Sequence, residues 1–451
     1  MDNAANAQPP IPAFREPPQS LLSSLRFLGP GFILSASIVG SGELIMTTTL
    51  GAKAGFVLLW VILLGCLAKV AVQLEYGRYC ISHGRPSFQA WNSSPGFKLL
   101  GVHWTMIVTL FFLIATFAGQ AGVLGGSAQV AAYVFPTIPL WVWIIAIAIT
   151  LSLLVFHGQY GPVEFVAAAL NFIFISTILY CVASIQTTPY AFSLADLGQG
   201  LSFRLPAGTM PFAVAAFGIT GVASGEICMY PYWCIEKGYA AWTGPRDGSP
   251  EWTRRAKGWI RVMNVDAAAS LIVYTLATCA FYILGASVLR NQPKLADGNE
   301  FVLQLSSIFT EVLGPGARGV FMLGAFTVLF STIFANTAGF SRLWTDMFAV
   351  CGLFNVEDRK SRLLSIFVMA WIFPAVCGLI YLTVQKLLIL IVFMGIINSL
   401  FLLVVAWQGI VFRYYYTYEE LKPSRAYDIA LWVSILSIAF MAWRAFMAIF
   451  Q

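Results

Sequence analysis

Val39-Gly40-Ser41-Gly42-Glu43-Leu44-Ile45-Met46 lies in the first long apolar stretch of the chain, and Val222-Ala223-Ser224-Gly225-Glu226-Ile227-Cys228-Met229 lies in a later one, 183 positions on. Val, Ser, Gly, Glu and Met coincide in the two copies. Each copy sets small, helix-weakening residues and one carboxylate in the middle of a stretch long enough to cross a bilayer. A carboxylate at that depth is costly in hydrocarbon and marks a place that faces protein interior or water. Glycine-interrupted apolar segments at corresponding places in two halves of a chain point to a midplane binding site between inverted repeats.

Composition agrees with a membrane setting. Of 451 residues, 59% are hydrophobic and 10% charged, and the mean hydropathy is +0.79. Soluble domains carry roughly 25% charged residues, so the chain reads as an all-α integral membrane protein in contact with a lipid bilayer. The net charge of +6 is spread along the loops and forms no nucleic-acid patch. The eight cysteines have no paired-ligand spacing, so no disulfide framework, zinc site or other cofactor is expected. No nucleotide loop or catalytic dyad suggests an enzyme.

Taken in order, residues 1–23 read as a disordered cytoplasmic tail with five prolines, and 24–451 as one transmembrane domain. About 11 transmembrane helices are expected. Span 1 runs from about Phe27 to Leu50, span 2 from Val57 to Tyr79 with Lys69 and Glu75 inside it, and an interfacial connection follows to Leu100. Spans 3 to 5 are about Trp104 to Val134, Leu140 to Phe156 and Val163 to Ile185. Span 6 is about Met210 to Cys234, span 7 Val262 to Val288, and Leu303 to Leu313 a short outer helix. Spans 8 to 11 are about Val320 to Phe340, Leu363 to Leu382, Leu387 to Phe412 and Tyr427 to Phe450. With the amino terminus inside, cytoplasmic segments hold eighteen Lys and Arg against six on the other side. That bias leads to the expectation of a carboxyl terminus outside, and the expected location is the cell (inner) membrane.

The two copies fall in spans 1 and 6, so five spans make one repeat and the second repeat starts inverted: 24–189, then 205–412, with 413–451 as one extra helix. Spans 1 and 6 are then broken helices that meet at the midplane. Non-helical Ser41 to Glu43 and Ser224 to Glu226 are expected to face each other there, with the two carboxylates close enough to share one ion or water. Two such carboxylates repel unless protonated or bridged by positive charge, and a divalent cation fits best. The expected ligands are Glu43 and Glu226, the carbonyls near Gly40 and Ala223, and the hydroxyls of Ser41 and Ser224. Each has a plainer alternative: the glutamates can accept from backbone donors at the breaks, and the serines can bond back to their own helices. Cys228 and Met229 serve as packing or as soft ligands, and Asn336 and Asn398 as ligands or cross-helix bonds. Asp266 is expected to pair with Arg261.

Gly29-Pro30-Gly31-Phe32, followed by the break and by Gly51-Ala52-Lys53-Ala54-Gly55-Phe56-Val57-Leu58-Leu59-Trp60-Val61, resembles the start of the NRAMP family of divalent metal transporters. Tyr160-Gly161-Pro162-Val163-Glu164, Ser331-Thr332 and Thr337-Ala338-Gly339-Phe340 extend the resemblance, which covers about Ser24 to Phe412. It implies a LeuT-like 5+5 inverted-repeat fold and secondary transport of a divalent metal by alternating access. The departures fall on the chemistry. Gly40-Ser41-Gly42-Glu43 stands where the family has Asp-Pro-Gly-Asn, and Val222-Ala223-Ser224 where it has Met-Pro-His. Span 3 has no acidic residue on the family's proton route, and span 9 lacks the second arginine of a pair. An all-oxygen shell favours Mg²⁺ or Mn²⁺, and transport free of tight proton coupling is expected. A small organic cation or amino acid is the alternative cargo, and a non-transporting receptor a third reading. The chain reads as a monomer.

Overall fold

The computed structural model describes residues 14–31, 35, 38–40, 42–156, 160–290, 300–355 and 357–449. Ser41 and His157 lie outside them. Nine helical runs among the described residues are long and apolar enough to cross a membrane. The first, Gly42–His83, has 42 residues; as one straight helix it would measure about 63 Å, twice a hydrocarbon core of ~30 Å. It is not straight. A π-helical turn, Gly42–Thr47, runs into α1 (Thr48–Ala54), and Gly55 then takes φ +64° before α2 (Leu59–Leu67) and α3 (Val70–His83). Only glycine adopts that angle cheaply, and the chain turns there. Part of expected span 1 and all of span 2 thus share one run. Expected span 4 is α6 (Leu140–Phe156), a shorter apolar helix of 17 residues. The nine long runs therefore include one that holds expected span 2 with part of span 1, and expected span 4 stands outside them as the shorter helix.

Between these lie α4 (Ser87–Ser93), a small antiparallel hairpin of β1 (Lys98–Leu99) and β2 (Val102–His103), and α5 (Trp104–Val134). After α6 come α7 (Tyr160–Ser184), α8 (Leu194–Gln199), α9 (Met210–Ile219) and α10 (Ser224–Lys237). The rest is α11 (Tyr239–Thr243), α12 (Pro250–Leu284), α13 (Glu300–Leu313), α14 (Ala317–Val350), α15 (Arg359–Val384), α16 (Leu387–Val411) and α17 (Arg425–Ile449). The ends follow local chemistry. Gly84 and Gly238 stop α3 and α10 in left-handed conformations. Ser249 caps α12 ahead of Pro250, and Asp358 caps α15. The Ser361 hydroxyl, with backbone N–H groups, holds the Asp358 carboxyl below its usual range. That contribution is present above the ordinary carboxylate range and is lost only as pH falls below it.

Two packed groups emerge. One joins α12 to α1, α2 and α3, and adds α9 against α2 and α10 against α3. The other wraps α14, α15 and α16 around α5, with α6 against α15. Contact between α9 and α16 bridges them, and glycines set its closeness: a Cβ at Gly218 would lie 1.9 Å from the Gly395 carbonyl oxygen.

Two smaller expectations change. Residues 14–23 of the expected tail are docked: Arg15 lies over the rings of Phe27 and Trp242, and the Trp259 indole donates to its carbonyl. Asp266 does not pair with Arg261, which donates to the Gln19 carbonyl. Its carboxylate instead accepts from the N–H groups of Gly29 (3.0 Å) and Gly31 (2.5 Å) at the start of span 1.

Candidate cation site between the broken helices

Span 6 breaks between α9 and α10. Residues Thr220 to Ala223 leave the helix, with Gly221 at φ +61°, and Ala223 is the N-cap of α10. Ser224 to Glu226 are therefore helical, not unwound, and Glu226 is the third residue of a fresh first turn. Span 1 repeats the pattern: the Gly40 carbonyl accepts from the Leu44 N–H (2.9 Å), so Gly40 acts as the cap and Glu43 stands three residues on. The sequence expectation of non-helical segments fails for Ser224 to Glu226, and for Gly42 and Glu43 beside Ser41, because those residues start helical turns. An acidic side chain in a first turn meets unpaired N–H groups and the positive end of the helix dipole.

The two carboxylates have different surroundings. Glu43 is fully buried. Its Oε2 accepts from the Gly40 N–H (3.3 Å), and its Oε1 accepts from the Gly221 N–H (3.4 Å) and the Thr278 hydroxyl (3.2 Å). One side chain thereby ties both breaks to α12. Glu226 makes no ion pair among the described residues. It lines a cavity of about 40 Å³ together with Ala223, Gly42, Gln120, Thr332, Asn336, Met394 and Asn398. Glu43 does not line that cavity.

Three amides furnish the wall. Asn336 on α14 donates to the Gln120 Oε1 on α5 (3.2 Å), while its own Oδ1 is buried with no hydrogen-bond partner. Asn398 on α16 accepts from the Ser224 hydroxyl (2.5 Å) and donates to the Met394 carbonyl (3.0 Å). Both asparagines thus bond across or along helices and also face the cavity. The Ala223 carbonyl accepts from the Ile227 N–H (3.0 Å). Gly40 packs on Thr332, whose hydroxyl would lie 1.9 Å from a Cβ there. Of the six expected ligands, Ala223 and Glu226 line the cavity, Glu43, Gly40 and Ser224 flank it, and Ser41 is outside the described residues. Cys228 and Met229 are packing residues: both are buried off the cavity, and Met229 lies against Gly339. Met394 of span 10 also lines the cavity, beside these oxygen donors. Periodicity gave no signal for Met394. Among the described residues no group of three or more His, Cys, Asp and Glu is placed to hold a metal.

The model of the Nramp family, natural resistance-associated macrophage protein-like, matches residues 31–448. The chain belongs to this family. Its fold is that of other broken-helix transporters. A crystal structure of the Eremococcus coleocola manganese transporter is 15% identical, with a TM-score of 0.69, covering 96% of this Nramp chain and 89% of that one. A nucleobase-cation-symport-1 family transporter with bromovinylhydantoin bound is 15% identical, with a TM-score of 0.57, covering 94% and 90%. By sequence, an uncharacterised protein of Pasteurella multocida is 24% identical over 350 residues, 76% of this chain and 74% of that protein.

Proposed function

We propose that this Nramp protein is a secondary transporter that moves a divalent metal cation, Mg²⁺ or Mn²⁺ before softer ions, by alternating access. The observation that carries the reading is Glu226, a carboxylate without an ion pair in a 40 Å³ cavity at a helix break. An intramembrane carboxylate left in that state awaits a cation. The Asn336 Oδ1, buried and unpartnered, supplies a neutral oxygen beside it. The size supports an ion over an amine or amino acid, because clefts for organic ligands begin at roughly 300 Å³. The likeness to a manganese transporter supports the same class of cargo. Glu43 acts as a strut that holds the two breaks in register and acts at the site through their geometry.

Oxygen donors outnumber the single thioether, which favours hard ions. Among the described residues that line the cavity, Glu226 is the one titratable group. A proton relay would need a second station, so uptake proceeds without tight proton coupling. The test is uptake and calorimetric binding in proteoliposomes with a panel of divalent ions and amines and an internal pH dye. Binding of an amine and of no divalent ion overturns the reading. Uptake of Mn²⁺ or Mg²⁺ with unchanged internal pH supports it.

A further inference from the structure

Lys69 sits at the junction of α2 and α3 and is fully buried. Its Nζ donates to the carbonyls of Phe217 (2.7 Å) and Thr220 (2.5 Å), at the end of α9 where span 6 breaks. It also lies 5.2 Å from the centre of the Phe217 ring. Among the described residues it makes no ion pair. The Thr220 Oγ1 is buried with no hydrogen-bond partner and faces Gly65, four residues before Lys69, where a Cβ would lie 2.4 Å from it.

A buried ammonium with no carboxylate in contact is expensive; Glu43 and Glu226 act on it only from a distance, and the groups it touches belong to a helix end. The carbonyls freed at the end of α9 carry the partial negative charge of the half-helix. Freed carbonyls at such breaks are what coordinate monovalent cations in broken-helix transporters. An ammonium and a bare alkali ion ask for the same oxygen donors. We propose that the Lys69 ammonium is a tethered cation filling a monovalent-ion site built from the Phe217 and Thr220 carbonyls and the Thr220 hydroxyl. The protein thereby needs no Na⁺ or K⁺ at this break, and loss of the ammonium opens the site to them. The inference deepens the transporter reading by assigning what stands in for a coupling ion, and it does not depend on which cargo is carried.

The experiment is thermal unfolding of purified protein in detergent without divalent metal, at constant ionic strength in choline, Na⁺ or K⁺ chloride. The wild type is expected to melt at the same temperature in all three salts. Lys69→Ala is expected to melt several degrees lower in choline and to regain several degrees in Na⁺ or K⁺, saturably, as a ligand of the folded state does. Lys69→Gln, which keeps one donor for a carbonyl, repeats the measurement with a milder change. Recovery of either variant in folded form only from Na⁺ or K⁺ buffers counts as the expected result. The proposal is overturned if the wild type is itself stabilised by Na⁺ or K⁺ over choline. It is equally overturned if the variants melt at one lowered temperature in every salt, or fold in none, since the ammonium then does what no free cation can. Failure of divalent uptake in the wild type removes the metal reading and leaves these melting results intact.

Discussion

Glu43 and Glu226 hold the same place in the two copies, three residues after a cap, and are put to opposite uses. Glu43 spends its oxygens on two backbone N–H groups and a hydroxyl, while Glu226 looks into the cavity. Their neutral variants therefore separate. Glu226→Gln is expected to lower Mn²⁺ affinity by about 10- to 100-fold, equivalent to ~1.4–2.7 kcal/mol, with the melting temperature almost unchanged. Glu43→Gln is expected to show the reverse emphasis, losing on the order of 1–3 kcal/mol of stability as a buried donor at the breaks is left without its acceptor. Calorimetry and thermal unfolding of the two variants check this, and equal effects on both readouts refute the division of roles. Met394 gives a third test at this scale. Met394→Leu is expected to reduce competition by Cd²⁺ against Mn²⁺ several-fold and to leave Mg²⁺ binding alone, because only the soft ion gains from a thioether.

At the scale of elements, the position of a break matters as much as its existence. The repeated string located both broken helices, and glycines with a mid-span carboxylate were enough for that. The unwound residues lie just upstream, at Thr220 to Ala223 in span 6. Ser-Gly-Glu after a break is a helix start, with its acid in the first turn, and a search for weak helix formers takes it for the break itself. Lys69 was visible as a charge inside span 2, but its partners lie nearly 150 positions away at the end of α9. No local spacing reports such a contact. The same holds for the amide wall, whose three members come from α5, α14 and α16. The approach of α9 to α16 is testable here. A Cβ at Gly395 would lie 2.5 Å from the Ala215 carbonyl oxygen, a backbone atom that cannot swing aside. Gly395→Ala is expected to cost about 1–3 kcal/mol as overpacking, read as a lower melting temperature. An unchanged value shows that the two helices can separate freely.

For the whole molecule, the lysine and arginine bias predicts which face is cytoplasmic, and the fold supplies a native reporter. Cys351, just past the end of α14, is the exposed cysteine of the eight. With the amino terminus inside, a membrane-impermeant maleimide labels Cys351 in inside-out vesicles and not in intact cells. The opposite pattern reverses the orientation. Hydropathy conveyed the membrane class and most helices. Apolarity alone does not show where a run such as Gly42–His83 turns, and Gly55 decides that.

The smallness of the cavity also sets a clock. At about 10–15 Å³ for each water, 40 Å³ has room for roughly three. A hydrated octahedral ion brings about six, so loading strips away near half of its inner shell. Mg²⁺ surrenders water reluctantly, so two ions held with equal affinity at equilibrium need not cross at equal speed. The rate of ligand exchange at the ion itself then governs turnover, and saturating Mn²⁺ should outpace saturating Mg²⁺ through the same pair of broken helices.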